Sequence, residues 1–185
     1  MAGENIEPPL PVEESARRTR TYRYADAARV SREQRSAPGL PYLEGVRDGR
    51  YANAPMAYTI GWSLTEVERG RVTLALDPGE HLFNPHVLHG GVFSTLLDSA
   101  TACAVISTLT EDQACTSLEI KTNFLRAVAP GSGTILCEGR VIHAGRRSAV
   151  AEAEVFDGGG KKYARATATF LIYPNPLKHG DAANG

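Results

Sequence analysis

Apolar residues divide the chain into one long helical segment with alternating segments on either side of it. From residue 90 to about 109, apolar side chains surround most of the helix circumference, which is typical of a helix buried inside a domain. A shorter helix is predicted for 41–49, where a proline suits the first turn and a glycine suits the stop. Alternation of apolar and polar residues predicts strands, at 57–68, 71–77, 115–126, 134–143, 147–156 and 162–173.

Two of the predicted strands carry rows of alanine on one face. Ala149, Ala151 and Ala153 alternate with larger residues in the segment 147–156, and the segment 162–173 repeats the arrangement. Small side chains leave room for a thick element to pack close to a sheet, and the long apolar helix is the candidate for it. Turn residues between neighbouring strands favour hairpins. The pattern therefore predicts an α+β fold, with an antiparallel β-sheet wrapped around a long central α-helix.

The two ends of the chain differ in character from the segment between them. Residues 1–37 begin with prolines and continue with seven arginines between positions 17 and 35, which predicts a peripheral arginine-rich arm. This arm either docks an anion or a partner subunit, or it is a solvated tail or surface helix. The segment 38–174 is expected to form the folded domain, and 175–185 to form a flexible polar tail.

Composition and charge are those of a globular protein in a reducing compartment. The 185 residues suffice for one domain with a core, and a net charge of −1 gives no bulk attraction to nucleic acid or to an anionic membrane. The amino-terminal segment lacks the pattern of a signal peptide, and no segment approaches the roughly 20 apolar residues of a membrane span. Three cysteines without a pairing pattern suggest free thiols. We therefore expect a cytoplasmic protein. We also expect no metal site, because the histidines and cysteines do not have the spacing of zinc ligands.

Candidate chemistry gathers where the long helix begins. Gly90 and Gly91 let the backbone approach a ligand closely, and the first amides of a helix lie unpartnered at the positive end of its dipole. They would polarise a carbonyl oxygen and stabilise a developing oxyanion. Asp98 follows within the apolar helix, where a carboxylate can act as nucleophile or general base. Structural roles are the alternative: a loop-to-helix junction for the glycines, and a hydrogen-bonding role for Asp98 and for His89.

Four stretches of the chain resemble, in the same order, the motifs of a known family. They are NPHVLHGGVFSTLLDSA, TSLEIKTNFLRAV, GRVIHAGRRSAVAEAEVFD and GGKKYARATATFLIY. Together they are similar to the PaaI-like hotdog-fold acyl-CoA thioesterases, over about residues 40–173. The resemblance implies the hotdog fold, a homodimer or a tetramer built as a dimer of dimers, and no cofactor beyond the coenzyme A of the substrate.

The resemblance also implies a catalytic site that two subunits share. The N–H of Gly90, between His89 and Gly91, would bind the thioester carbonyl, and Asp98 of the partner subunit would attack the carbon or activate a water. Ser117 falls where many members of the family place a small hydroxyl residue that positions the water or the carboxylate. Its neighbour Thr116 is the alternative, because a slip of one residue reverses the face of a strand.

Three further residues are candidates for substrate or CoA binding. Asn84 lies five residues before His89, whereas many members of the family have their asparagine six residues before the histidine, and the glycine of the family's Pro-x-Gly is missing here. Arg146 and Arg147 are candidates to hold the phosphates of coenzyme A, because guanidinium groups suit phosphate in charge and in geometry. Exposed arginines at a strand end, without a ligand, are the alternative for this pair.

Three functions are compatible with these features. The first is hydrolysis of an acyl-CoA to a free acid and CoA. The second is non-enzymatic acyl-CoA binding on the same fold, which the presence of Asp98 disfavours, since such binders usually lack the helix acid. The third is dehydration of a 3-hydroxyacyl thioester by His89 and Asp98, although the surrounding motifs are more similar to those of thioesterases.

Overall fold

One antiparallel sheet curls around one long helix in this protein, whose computed structural model describes residues 18–179. The strands run in the order β1-β2-β6-β7-β8-β5, and every neighbouring pair is antiparallel. The helices are α1 (Ala27–Arg35), α2 (Gly39–Arg47), α3 (Pro55–Ile60), α4 (Gly90–Ile106) and α5 (Pro176–His179). The strands are β1 (Trp62–Glu68), β2 (Arg71–Leu76), β3 (Phe83–Asn84), β4 (Val87–Leu88), β5 (Gln113–Phe124), β6 (Ile135–Ala144), β7 (Ser148–Asp157) and β8 (Lys162–Pro174).

Helix α4 lies against the concave face of the sheet and contacts β2, β5, β6, β7 and β8. A separate two-stranded hairpin, β3 with β4, leads into its amino-terminal end. Apolar residues on all sides of α4 are buried by this wrapping, among them Phe93, Leu97 and Val105. The predicted α+β hotdog fold is therefore confirmed. None of the helices within residues 18–179 has the length and apolar character needed to cross a membrane.

Small residues bring the sheet close to the helix. Ala151 lies opposite Ala168 and Ala153 lies opposite Ala166, and all four side chains are buried. On β6 the approach is closer still, since a Cβ atom added to Gly139 would overlap the backbone carbonyl of Ala100 in α4. The alanine rows thus let the helix pack closely against β7 and β8, as their pattern predicts. Gly139 allows the same close packing on β6.

Helix α2 packs against β1 and α4, away from the sheet centre. Tyr42 and Leu43 are buried on its inner face. The N–H of Gly39 donates a hydrogen bond of 3.1 Å to the carbonyl of Leu109, which follows the carboxyl end of α4. A side chain at Gly39 would overlap the carbonyl of Ile106, so this helix can start only at a glycine.

The segments that flank the domain also contact it. The guanidinium group of Arg20 donates hydrogen bonds to the carbonyls of Tyr58 and Thr59 at the end of α3. The side-chain amide of Asn175, 1% exposed, donates to the carbonyls of Arg35 at 2.8 Å and Glu111 at 2.7 Å. The expected domain limits at 38 and 174 stay predictions, and residues 1–17 and 180–185 of the predicted arm and tail lie outside the described residues.

Two local predictions are wrong. The segment 57–68 is not one strand, because Pro55 starts helix α3 and Gly61, with a φ of 99°, ends it before β1 begins. In β5, the regular alternation of the segment 115–126 predicts Ser117 and Ile120 on opposite faces of the strand, but a bulge between Ser117 and Glu119 interrupts that alternation. Ser117 faces α4, as Ile120 does, and Leu118 is exposed instead.

The close approach of β6 to α4 predicts a specific cost for a single methyl group. Gly139→Ala should lower the free energy of unfolding by about 1–3 kcal/mol, because rigid backbone opposes the new Cβ. Gly158→Ala is the matched control, since a Cβ at Gly158 meets nothing within 4 Å. Urea denaturation at equal protein concentration measures both, and equal stabilities of the two variants would contradict the packing.

Candidate active site

The amino-terminal end of α4 has one capped amide and one free amide. The Nδ1 atom of His89 accepts a hydrogen bond of 2.8 Å from the N–H of Gly91, and the N–H of His89 donates to the carbonyl of Leu82 at 3.0 Å. The N–H of Gly90 donates to no acceptor within residues 18–179. His89 thus holds the helix start in place, and Gly90 is the residue whose amide is available at the positive end of the dipole.

A phenyl ring covers the position that a side chain of Gly90 would occupy. The Cζ atom of Phe124 lies 3.3 Å from where a Cβ atom on Gly90 would be. Phe124 ends β5 on its helix-facing side, and its ring centroid lies 6.2 Å from that of Phe93. The free amide therefore has an apolar wall beside it, and Gly90 is the residue type that lets the ring come so close.

Asp98 lies two turns further along α4 and is tied to the edge of the sheet. Its Oδ1 atom accepts a hydrogen bond of 3.0 Å from the Oγ atom of Ser117 in β5. The side chain of Asp98 is half-buried, so the carboxylate is partly accessible from solvent. Thr116, the alternative to Ser117, pairs with Leu171 and faces away from the helix. The structure thus brings Asp98 and Ser117 together and leaves Thr116 on the other face.

Gly90 and Asp98 of one chain do not reach the same atom. Eight residues of α-helix separate them, which is about 12 Å along the axis at 1.5 Å per residue. To act on one thioester, the carboxylate must lie near the carbonyl carbon and the amide near the carbonyl oxygen. Each group must then be within about 3–3.5 Å of the atom on which it acts. One subunit therefore offers two halves of a site, each lying at a different point along β5.

Strand β5 forms an open edge of the sheet. Within residues 18–179 no strand pairs with its outer side. This edge carries exposed apolar side chains at Leu118, Phe124 and Leu125, of which the first two are 61% and 57% exposed. An open, partly apolar edge is suited to pairing with a second strand. The Ser117–Asp98 pair lies towards the start of this edge, and Phe124 with Gly90 lies at its end.

The predicted phosphate-binding arginines border a separate cavity at the outer side of the sheet. Arg146 and Arg147, in the turn between β6 and β7, line a cavity of about 530 Å³ together with Leu171 and Tyr173. Ser148, next to Arg147, pairs with Leu171, which in turn pairs with Thr116. The arginine pair thus lies two strands from Thr116, about 10 Å away at the usual strand spacing.

The remaining candidates lie apart from the Asp98–Ser117 pair. Asn84 is exposed at the tip of the β3–β4 hairpin, where it lines a cavity of about 500 Å³ with Phe83 and Pro130.

Burial raises the pKa of the Cys115 thiol to about 11, which keeps it protonated at neutral pH. Among residues 18–179, no three histidine, cysteine or acidic side chains gather in a way that could hold a metal ion.

Sequence reasoning missed two features of this site. The bulge that turns Ser117 towards the helix has no marker in the sequence, since the stretch around Leu118 alternates regularly. The contact between Phe124 and Gly90 was missed because the two residues are 34 positions apart. The sequence offers one indication of this contact, which is a glycine at the helix start together with an apolar residue at the end of a predicted strand.

Comparison with known proteins identifies the family. The family model described as "Thioesterase superfamily" matches residues 86–164. Over 100 residues the chain is 31% identical to the 1,4-dihydroxy-2-naphthoyl-CoA hydrolase of Listeria monocytogenes, covering 54% of this chain and 80% of that protein. The chain belongs to the thioesterase superfamily. The protein is therefore a thioester hydrolase. The family match spans the helix start, Asp98, Ser117 and the arginine pair.

Solved structures agree with this assignment. A thioesterase family protein from Silicibacter pomeroyi is 30% identical, with a TM-score of 0.64 over 71% of this chain and 98% of that one. A Streptococcus mutans protein solved with acetyl-CoA bound is 26% identical, with a TM-score of 0.56 over 62% of this chain and 90% of that one. The wrapped sheet of this thioesterase is thus shared with relatives.

The hydrogen bond between Ser117 and Asp98 generates a prediction for this thioesterase. Ser117→Ala should slow thioester hydrolysis about tenfold or more, because a hydrogen bond to a charged group contributes about 1.5–3 kcal/mol. Thr116→Ala, one residue away on the opposite face, should leave the rate within about twofold, as expected for a surface substitution. An equal loss in both variants, at unchanged thermal stability, would contradict the assignment of Ser117.

Proposed function

We propose that the protein hydrolyses acyl-CoA thioesters to a free acid and CoA, at a site that two subunits form together. The supporting observation is that each subunit carries a free amide at Gly90 and, separately, an Asp98 carboxylate that accepts a hydrogen bond from Ser117. Two relatives support coenzyme A as the carrier of the acyl group: one is named a naphthoyl-CoA hydrolase, and the other was solved with acetyl-CoA.

A homodimer joined along β5 would complete the site. Antiparallel pairing of two β5 edges brings the Ser117 end of one strand to the Phe124 end of the other. Because Ser117 holds Asp98 and Phe124 lies over Gly90, this pairing moves the Asp98 of the partner subunit towards Gly90. The exposed Leu118 and Leu125 become buried in the same step. A tetramer built from two such dimers is compatible with this arrangement.

The chemistry then follows from the two halves. The thioester carbonyl oxygen accepts a hydrogen bond from the N–H of Gly90, and the helix dipole stabilises the charge that develops on it. Asp98 of the partner subunit takes a proton from a water molecule that attacks the carbon. Collapse of the tetrahedral intermediate breaks the C–S bond, and the same proton passes to the sulfur of CoA. Alternatively the carboxylate itself attacks, and water hydrolyses the resulting anhydride.

Ser117, His89 and Gly91 act in support of these groups. Ser117 orients the carboxylate through its hydrogen bond, so that the second carboxylate oxygen faces the substrate. His89 caps Gly91 and thereby fixes the direction of the Gly90 amide. Because Nδ1 of His89 is an acceptor, the neutral ring carries its proton on Nε2. Arg146 and Arg147 would bind CoA phosphates, whereas the exposed Asn84 lies on the β3–β4 hairpin, apart from the Asp98–Ser117 pair.

The test is the loss of hydrolysis when the Asp98 carboxylate is removed. Asp98→Asn should lower kcat for acyl-CoA hydrolysis by about 10²–10⁴, the usual contribution of a general base, while its amide oxygen still accepts the hydrogen bond from Ser117. Release of free thiol from a panel of aromatic and linear acyl-CoAs measures the rate. Full activity in Asp98→Asn would remove Asp98 from the mechanism.

Isotope labelling separates the two roles of Asp98. In a single turnover in H₂¹⁸O, label in Asp98 identifies attack by the carboxylate, followed by opening of the anhydride by water at the Asp98 carbonyl carbon, because general-base catalysis places the label only in the released acid.

A further inference from the structure

A further cavity lies at the edge of the sheet opposite to β5, between α2, α3 and the start of β1. It has a volume of about 490 Å³, and we refer to it as the β1-edge cavity. Its lining combines cationic and aromatic side chains, and among the described residues that line it none is acidic. The charged and aromatic members are Arg29, Arg47, Arg50, Tyr51, Tyr58 and Trp62.

Carboxylates outside the lining orient the arginines of this cavity. Asp48 accepts hydrogen bonds from Nε of Arg47 at 2.8 Å and from Nη2 of Arg50 at 3.2 Å. Glu33 accepts from Nε of Arg29 at 2.7 Å. Each guanidinium group uses one nitrogen in these bonds and keeps its other N–H donors. The carboxylate of Glu44 also acts on Arg47, so the arginines offer a ligand these remaining donors, on side chains that are already held in position, and not an excess of charge.

Trp62 adds a mostly buried indole ring to the lining of the same cavity. Its side chain is 6% exposed, and its Nε1–H has no acceptor among residues 18–179. Buried polar groups in folded proteins almost always have a hydrogen-bond partner. Because Nε1 is buried from solvent, the indole contributes its ring, and not its N–H, to the lining of the β1-edge cavity.

We propose that the β1-edge cavity binds the phosphate groups of a nucleotide. Phosphate oxygens match the remaining guanidinium donors of Arg29, Arg47 and Arg50 in charge and in bidentate geometry. The rings of Tyr51 and Tyr58 offer flat apolar surfaces on which a base packs. Such a phosphate can come from a free nucleotide or from the nucleotide end of coenzyme A.

This site is distinct from the proposed catalytic site. The β1-edge cavity involves α2, α3 and β1, whereas Asp98, Ser117 and Gly90 lie on α4 and β5 at the other edge of the sheet. Nucleotide binding therefore does not depend on thioester hydrolysis. A protein that hydrolyses thioesters without binding here, and one that binds here without hydrolysis, give different results in the experiment below.

The fluorescence of Trp62 measures binding directly, because it is the only tryptophan in the chain. Titration of the full-length protein with ADP should give a saturable change in emission that sodium chloride at equal ionic strength does not give. Arg50→Gln, in the exposed loop after α2, should weaken ADP binding at least about tenfold, as loss of a charge-assisted hydrogen bond does. Arg47→Gln should do the same.

A matched variant and two ligands complete the test. Arg140→Gln, which removes an arginine paired with Glu152 on β7, should leave the ADP titration unchanged. Tighter binding of CoA than of ADP identifies the nucleotide end of coenzyme A as the source, and equal or weaker binding identifies a free nucleotide. No saturable change with ADP or CoA overturns the proposal. So does a change that persists undiminished in both Arg47→Gln and Arg50→Gln, with the variants' thermal stabilities unchanged.

Discussion

The close contact between helix α4 and the sheet determines the arrangement of this protein. The helix is apolar on every side, so it is stable only where strands surround it. Alanine rows on β7 and β8 and Gly139 on β6 let the strands come near enough to do so. The sheet must then curl, and its last strand, β5, comes to lie beside the middle and the beginning of α4. The positions of the candidate catalytic groups follow from that curl.

Two contacts along β5 connect the fold to its chemistry. Ser117 donates to Asp98 at one point, and the ring of Phe124 lies over Gly90 at another. A straight helix keeps Gly90 and Asp98 about 12 Å apart, so the same rigidity that positions each group prevents one subunit from using both. Pairing of two open β5 edges resolves this conflict, since antiparallel strands exchange their ends. In this account the dimer is part of the catalytic machinery.

The fold could be predicted from the sequence because its determinants are periodic. The apolar run of α4 and the alternating alanines of β7 and β8 repeat at the spacing of their elements, and they locate the helix and the sheet around it. The segment 57–68 misled because Tyr58 and Ile60 are strand-forming residues, whereas Pro55 and Gly61 decide the local backbone and make it a helix. The bulge at Leu118 could not be predicted, since it arises from pairing with β8.

The site was predictable in its parts and not in its contacts. Gly90 and Asp98 are identifiable from a glycine pair at a helix start and from an acid in an apolar helix. The role of His89 as the cap of Gly91 depends on a side-chain rotamer, and the β1-edge cavity depends on residues from α1 to β1 meeting in space. Neither relation is periodic along the chain. The structure therefore contributes the pairing of groups, whereas the sequence contributes their identities.

Complementation between two inactive subunits tests the shared site most directly. Gly90→Pro removes the amide N–H while suiting the first helical position and the extended backbone of His89, and Gly90→Ala retains the N–H as its control. Each mixed dimer of Gly90→Pro with Asp98→Asn would contain one doubly altered site and one intact site. Purified mixed dimers should recover about half of the wild-type activity, as two equivalent sites require. Activity no higher than that of the two parent variants would contradict a site shared between subunits.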